Sequence, residues 1–530
     1  MKKGFLNIIL HAHLPYVRHP ERDSYFEEIW LFEAITECYV PLINLLDRLA
    51  NDKVDFKLTL SLSPTLMTML RDDLLISRYL KHLHKLIELA EKEIARTSKQ
   101  PEFNKLAQCY QQIFQNTYTT YHDRYDCDVL SAFKQHQAAG RLDLITTAAT
   151  HGFLPALSVS KTAVRNQVDL GIQTFLDYFD FAPSGFWLPE CAYYPGLETI
   201  LAQAGIKYFF VDAHAIANAS VAPENDVYAP LDCGNGVMVF GRDPESSKQV
   251  WSAKEGYPGD ADYREYYRDI GFDLDLDYIA PYILDGKTPI NTGIKYYKVS
   301  DDSTPKEVYD PENARVKAKR HAQDFIAKRQ QQIGALNSNM AKPPIIVAPY
   351  DAELFGHWWF EGPIWLEEVL RLASTCDNLQ TASCSDYMVV QAEHQIATPS
   401  ASTWGDQGYS AYWMNEENDW IYPYLHQAEE EMEKLASDLH GLTVNVLQER
   451  TLKQAARSIL LAQASDWAFI MKTGTNRDYA RKRITDHLAR FNFLHDSIRK
   501  NKINERYLLA LETMDAIFPK IDFRSFKPDE

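Results

Sequence analysis

The chain has 530 residues, a formal net charge of -18 and 45% hydrophobic residues. That much apolar material excludes a disordered composition and can fill a large core, and at ~100–200 residues per domain the length predicts two to four structural units. An acidic surface repels nucleic-acid phosphates and anionic lipid, so neither nucleic acid nor membrane is an expected partner and a neutral substrate fits better.

The first residues, MKKGFLNIILHAHLPY, superficially resemble a signal peptide. The apolar run 5–10 is too short, is interrupted by Asn7 and ends in His11, and no small-residue cleavage site follows. Residues 4–10 read instead as a buried parallel strand with function at its C-terminal end. No apolar run reaches ~18 residues, so no transmembrane helix is expected. Residues 26–50 have helical periodicity, and 57–62 read as a second strand running into SLSP. Residues 73–136 are charged, helical and free of strand-like runs, which predicts a helical insertion.

Strands resume at 144–148 before THGFLP, 185–187 before LPECAY, 208–212, 237–240, and 345–348 before PYDAELFGHWW, with helices at 162–179 and 196–204 between them. Alternating strands and helices predict a parallel α/β sheet. Polar motifs just after successive strands fit a barrel, whose active site gathers at the C-terminal rim. The Tyr-, Asp- and Gly-rich stretch 241–300 reads as a long irregular loop on that rim. Beyond residue 418 only helical patterns remain, at 420–447, 449–472, 476–500 and 504–517. The partition is a barrel over 1–72 and 137–402, a helical insertion over 73–136 and a C-terminal helical domain over 403–530. Seven dispersed cysteines, with no pair at CxxC spacing, argue against a disulfide framework or structural zinc and predict a cytoplasmic protein.

Two carboxyl groups stand out. Glu190 follows a strand in GFWLPECAYYPG, among Trp187, Tyr193 and Tyr194; Asp351 ends a strand in IIVAPYDAELFGHWW, ahead of Phe355, Trp358 and Trp359. Cleaving a glycosidic bond takes such a pair, with apolar walls holding the acid protonated. A helix N-cap is the alternative role for Asp351. His11 and His13 form an HxH at the end of the first strand. With His151, Asp351 and His357 they could hold a metal; they could equally bind sugar hydroxyls or be buried structural histidines. Trp404, Trp413 and Trp420, with Asn415, fall where barrel and helical domain meet, as a pocket wall or as interface core.

Five short regions in order, HAHLPY, THGFLPAL, WLPECAY, YDAELFGHWW and WGDQGYSAYWMNEENDW, resemble glycoside hydrolase family 57 in its branching-enzyme-like subgroup, across essentially the whole chain. The resemblance implies an incomplete (β/α)7 barrel with a helical insertion and a C-terminal all-helical domain. It implies double displacement on α-1,4-glucan, with Glu190 as nucleophile, Asp351 as acid/base, and no metal or other cofactor. His11, His13 and His151 would bind sugar, Trp404 and Trp413 would be aromatic platforms, and Asp466, in QASDW, is a further substrate contact. The chain would be a monomer or small homo-oligomer. Branching members carry a tyrosine on a loop over the site; the corresponding segment here, 229–240, contains none, the nearest being Tyr228. Branching with substantial hydrolysis is therefore expected, with an α-amylase-like hydrolase as the alternative. A metal-dependent amidohydrolase or deacetylase would rest on the HxH alone, and a non-catalytic glucan-binding protein would leave the two carboxylates without a use.

Overall fold

A computed structural model describes residues 4–252, 255–300, 305–391 and 393–528. Seven parallel strands curl into an incomplete barrel: β1 (Gly4–Ala12), β2 (Leu58–Leu62), β3 (Leu142–Thr147), β4 (Gly185–Trp187), β5 (Tyr208–Val211), β7 (Met238–Gly241) and β8 (Ile345–Asp351). Their order is β7-β5-β4-β3-β2-β1-β8. Beyond β7 the sheet adds β6 (Leu231–Asp232) and β10 (Gln395–Ile396), while β9 (Leu379–Thr381) pairs with the start of β1. No ladder joins β7 to β8 among the described residues; Asp243, just past β7, gives one backbone N–H to Val347 of β8 at 2.8 Å.

The near-continuous apolar runs of these strands follow from burial on both faces. All nine residues of β1 are buried. Asn7, in the middle of the strand, is satisfied: its amide donates to Cys384 Sγ at 3.0 Å and its carbonyl accepts from Thr59 Oγ1 at 2.9 Å. Gly171, in the helix Lys161–Phe179, lies so close to β3 that a Cβ would stand 2.3 Å from the Thr147 carbonyl. The stretch Phe26–Asn51 is long and apolar enough to cross a membrane, yet 72% of its most apolar window is buried inside the fold, as befits a core helix.

Helices Asp73–Arg96, Pro101–Tyr118 and Val129–Ala138 stand between β2 and β3. After residue 420 come Ile421–Asp438, Val446–Ala462, Ser465–Thr473, Arg477–Arg499 and Glu505–Met514. Three sequence readings need correction. The loop 241–300 holds several short helices, and a 29-residue helix, Pro311–Asn339, precedes β8. The helix expected over 420–447 ends at Asp438, with Gly441 at φ +72° in the loop that follows. The helix expected over 449–472 breaks at Ala464, which is extended at ψ 131°. No Gly or Pro marks that break. Tertiary contacts make it: Ala464 bridges Gly152, and Ser465 N–H donates to the His151 carbonyl at 2.9 Å.

Segment 229–240 also differs from expectation. It forms β6 and β7, which run antiparallel. Their turn leaves at the N-terminal end of β7, opposite the strand ends that carry Glu190 and Asp351. Tyr228 is half-buried, with its hydroxyl 3.3 Å from Asp243 and 3.0 Å from the Gln332 amide. This segment is an edge hairpin, not a cover over the carboxylates.

Candidate active site

Glu190 stands in a tight turn, Pro189–Cys191, just beyond β4. It takes φ +63°, Cys191 takes +49° and His151, just beyond β3, takes +56°. Such left-handed backbone costs a non-glycine residue energy and persists where the surroundings enforce it. Here the C-terminal segment does so. Trp404 N–H donates to the Glu190 carbonyl at 3.0 Å, and Tyr193 and Ser402 exchange backbone bonds at 2.9 and 3.1 Å.

The Glu190 carboxylate receives two donors. Ser465 hydroxyl donates to Oε1 at 2.8 Å and Trp404 Nε1–H to Oε2 at 3.0 Å. Burial raises the Glu190 pKa to about 7, against the pull of these two hydrogen bonds; Asp466 adds to the rise and His13 opposes it. Near neutral pH this carboxylate can ionise.

Asp351 ends β8 and differs in kind. Among the described residues no side chain hydrogen-bonds its carboxyl, and it makes no helix-capping bond to the turn Ala352–Leu354, so the N-cap reading fails. Burial, then the neighbouring charges of Glu353 and Glu190, push its pKa well above the usual carboxylate range, with Arg242 opposing. One carboxyl is thus supported as an anion and the other held as an acid, the split that acid/base assignments require.

The three histidines divide the same way. His13 Nε2 lies 3.1 Å from Asp466 Oδ2, and its Nδ1 lies 2.9 Å from Ser63 Oγ. Ser63 and Thr65 hydroxyls are 3.1 Å apart, and Thr65 donates onward to the Leu14 carbonyl, so Ser63 Oγ is free to accept from His13. Burial works against the charge on His13, but Asp466, Glu190 and Glu353 outweigh it and raise its pKa. His11 and His151 are pushed well below the ordinary histidine range, by burial first and then by the charge of His13.

With both neutral, their proton positions follow. Ser465 spends its one proton on Glu190, so His151 Nδ1–H donates to Ser465 Oγ at 2.8 Å. His151 Nε2 then accepts from His11 Nε2–H at 3.0 Å, and His11 Nδ1 accepts from Ser61 at 3.1 Å. A one-way chain of hydrogen bonds runs from β2 through β1 and the β3 loop to Glu190.

The alternative metal grouping of the HxH with His151, Asp351 and His357 does not assemble. His13, His151 and Asp466 do place ligand atoms within 4.8 Å of one another. However, His11 is committed to Ser61 and His151, and His357 Nδ1 pairs with Glu37 at 2.5 Å. Trp404 and Trp413 also part company. Trp404 is half-buried beside Glu190, edge-on to Trp187 at 5.2 Å. Trp413 is 1% exposed and stacked between Phe153 at 5.3 Å and Phe469 at 6.3 Å. It packs as core here and offers no open face, which corrects the platform expectation at that position.

Several residues of the site went unread in the sequence. Ser465 was hidden by the helix break. Arg242 pairs with Asp212 at 3.3 Å and lies 5.8 Å from the Trp404 ring. Glu353 accepts from Tyr39 hydroxyl at 2.5 Å, and burial raises its pKa to about 7. Glu37 sits on a wide helical turn, Ala34–Tyr39, a form frequent at functional sites. His357 reaches Glu37 because Gly356, at φ +113°, lets the backbones meet; a Cβ there would stand 1.7 Å from the Glu37 carbonyl.

The family description "Glycosyl hydrolase family 57" matches residues 7–398, and "1,4-alpha-glucan branching enzyme, C-terminal" matches 424–526. A 1,4-alpha-glucan branching enzyme of Thermococcus kodakarensis is 32% identical, over 97% of this chain and 76% of its own. Among solved structures, the alpha-amylase AmyC of Thermotoga maritima is 44% identical over 100% of both chains, with a TM-score of 0.93. The GH57-type branching enzyme of Pyrococcus horikoshii is 32% identical over 99% of this chain and 97% of its own, with a TM-score of 0.89. These matches agree with the curled parallel sheet, its strand-end carboxylates and the helices that follow: the chain belongs to glycosyl hydrolase family 57.

Proposed function

We propose that this chain is a 1,4-α-glucan branching enzyme. Glu190 attacks the anomeric carbon of an α-1,4-glucan while Asp351 protonates the departing oxygen. Asp351, now a base, then activates the 6-hydroxyl of an acceptor chain, giving an α-1,6 link with net retention. The observation that carries this reading is the contrast between the two carboxyls: two donors on Glu190, none on the half-buried Asp351 among the described residues. In this reading His11, His13, His151 and Asp466 line the sugar site beside them. The branching enzymes among the relatives support the transfer step. Seven unpaired cysteines support a cytoplasmic setting.

A second reading, hydrolysis of the same glucan, is favoured by the similarity to AmyC and by the edge hairpin at 229–240. Both readings share the first displacement and differ in what intercepts the glycosyl-enzyme. Incubation with amylose, scoring new reducing ends against new α-1,6 branch points, separates them. Branch points support the proposal; reducing ends alone replace it with the hydrolase; neither product sinks both.

A further inference from the structure

We propose that the cleft between the loop after β1 and the helix Arg477–Arg499 binds a small oxyanion, phosphate or a phosphate monoester, through Arg22, Arg483 and His487. In a chain of net charge -18, this cavity of about 130 Å³ is lined by four cationic side chains against two carboxylates. Both carboxylates are engaged: Glu21 with His19 at 2.9 Å and Asp486 with Lys482 at 2.5 Å. Arg490 is held by Asp515 at 3.3 Å.

Arg483 and Arg22 make no such close ion pair among the described residues. Arg483 is 6% exposed; it hydrogen-bonds the Tyr16 carbonyl at 2.8 Å and the His19 ring nitrogen at 3.5 Å and lies against the faces of Trp467 and Tyr479, and the carboxylate whose charge reaches it, Asp515, is shared with Arg490 and Arg457. Its Nε–H has no acceptor among the described residues. Arg22 is exposed at the mouth, above the Tyr25 ring at 5.3 Å. His487 is fully buried on the cavity wall, and neither of its ring nitrogens has a hydrogen-bond partner among the described residues.

A buried cation that shares one carboxylate with two other arginines is under-compensated, and a buried ring nitrogen without a partner is costly. Guanidinium groups only donate, so the ligand that satisfies them must accept and carry negative charge. The cavity is large enough for a tetrahedral oxyanion with some hydration. Burial and the neighbouring arginines keep the His487 pKa well below its ordinary value. A bound anion would oppose that and let His487 donate as well. The site is separate from the carboxylates and does not depend on the glucan reading.

The test is isothermal titration calorimetry of the full-length protein with sodium phosphate, against chloride at matched ionic strength, with melting temperature followed in parallel. The expected result is saturable one-site binding and a melting temperature that rises with occupancy. Arg22→Ala, an exposed change, should weaken binding about tenfold, the effect of losing ~1.4 kcal/mol, and Arg483→Gln should abolish it. If Arg483→Gln does not fold, Arg22→Ala decides alone. Glycerol 2-phosphate binding as well as phosphate identifies a monoester; phosphate binding alone identifies the free ion; either supports the site. No saturable binding, or binding unchanged in the variants as an adventitious ion would show, overturns it.

Discussion

Ser465, the first residue of a C-terminal helix, donates its hydroxyl proton to Glu190 Oε1 at 2.8 Å. The helical segment therefore supplies one of the two donors that stabilise the Glu190 anion. A hydrogen bond to a charged group contributes about 1.5–3 kcal/mol, so Ser465→Ala should lower kcat roughly ten- to a hundredfold, at ~1.4 kcal/mol per tenfold. Losing a donor to the anion raises the Glu190 pKa, and attack needs the anion. The acid limb of the kcat/KM profile should therefore move to higher pH, and Ser465→Thr should restore it. A profile identical to wild type in Ser465→Ala rules out this role.

Glu190→Gln and Asp351→Asn should each cost several orders of magnitude in activity with the fold intact. Azide should restore turnover to Glu190→Ala, with a glucosyl azide of inverted anomeric configuration as product. A tenth of wild-type activity in Glu190→Gln removes it as nucleophile.

Asp351 also makes a stability prediction. Its folded pKa is raised by burial and by Glu353 and Glu190. Between the unfolded and folded pKa the native state binds more protons, so this residue's contribution is full below the unfolded value and is lost as pH rises through the folded one. Asp351→Asn removes that loss. Its melting temperature should equal wild type at pH 4 and exceed it at pH 8. A lower melting temperature at pH 8 refutes the assignment of a neutral, unsupported carboxyl.

The two tryptophans should separate cleanly. Trp413 is 1% exposed between Phe153 and Phe469, so Trp413→Ala should cost about 3–5 kcal/mol of stability. Trp404→Phe keeps one aromatic ring and loses the Nε1–H that Glu190 accepts. It should reduce turnover with little change in melting. Equal melting losses in both variants contradict the distinction.

Much of this site was legible in the sequence because strand ends advertise themselves. His11, Glu190 and Asp351 each lie at or just beyond an apolar run, where a parallel strand must stop and expose its next residues. What stayed hidden depends on long-range contact. Ser465 sits in a pattern that reads as unbroken helix, and it is broken by long-range contacts, the bridge of Ala464 to Gly152 and the Ser465 N–H to the His151 carbonyl. The 229–240 hairpin was misplaced for a related reason: composition shows that it lacks a tyrosine, but not that β6 turns back along β7. Trp413 and Trp404 look alike in a Trp-rich segment; packing against Phe153 tells them apart.

Chelation tests the histidine cluster. His13, His151 and Asp466 lie within 4.8 Å of one another, a spacing that could admit a metal ion. Each ring nitrogen is already spoken for: His13 by Ser63 and Asp466, His151 by Ser465 and His11. An ion would have to break the chain that ends at Glu190 and displace a proton from His13, whose pKa is raised by Asp466. Ligands must be deprotonated, so that displacement weakens binding further below the His13 pKa. Dialysis against EDTA should leave kcat and the branch-to-hydrolysis ratio unchanged, and added zinc should inhibit, more strongly at pH 8 than at pH 6. Stoichiometric zinc in purified protein, with activity lost on its removal and restored on its return, would instead make these three residues a metal centre and require a different account of the chemistry.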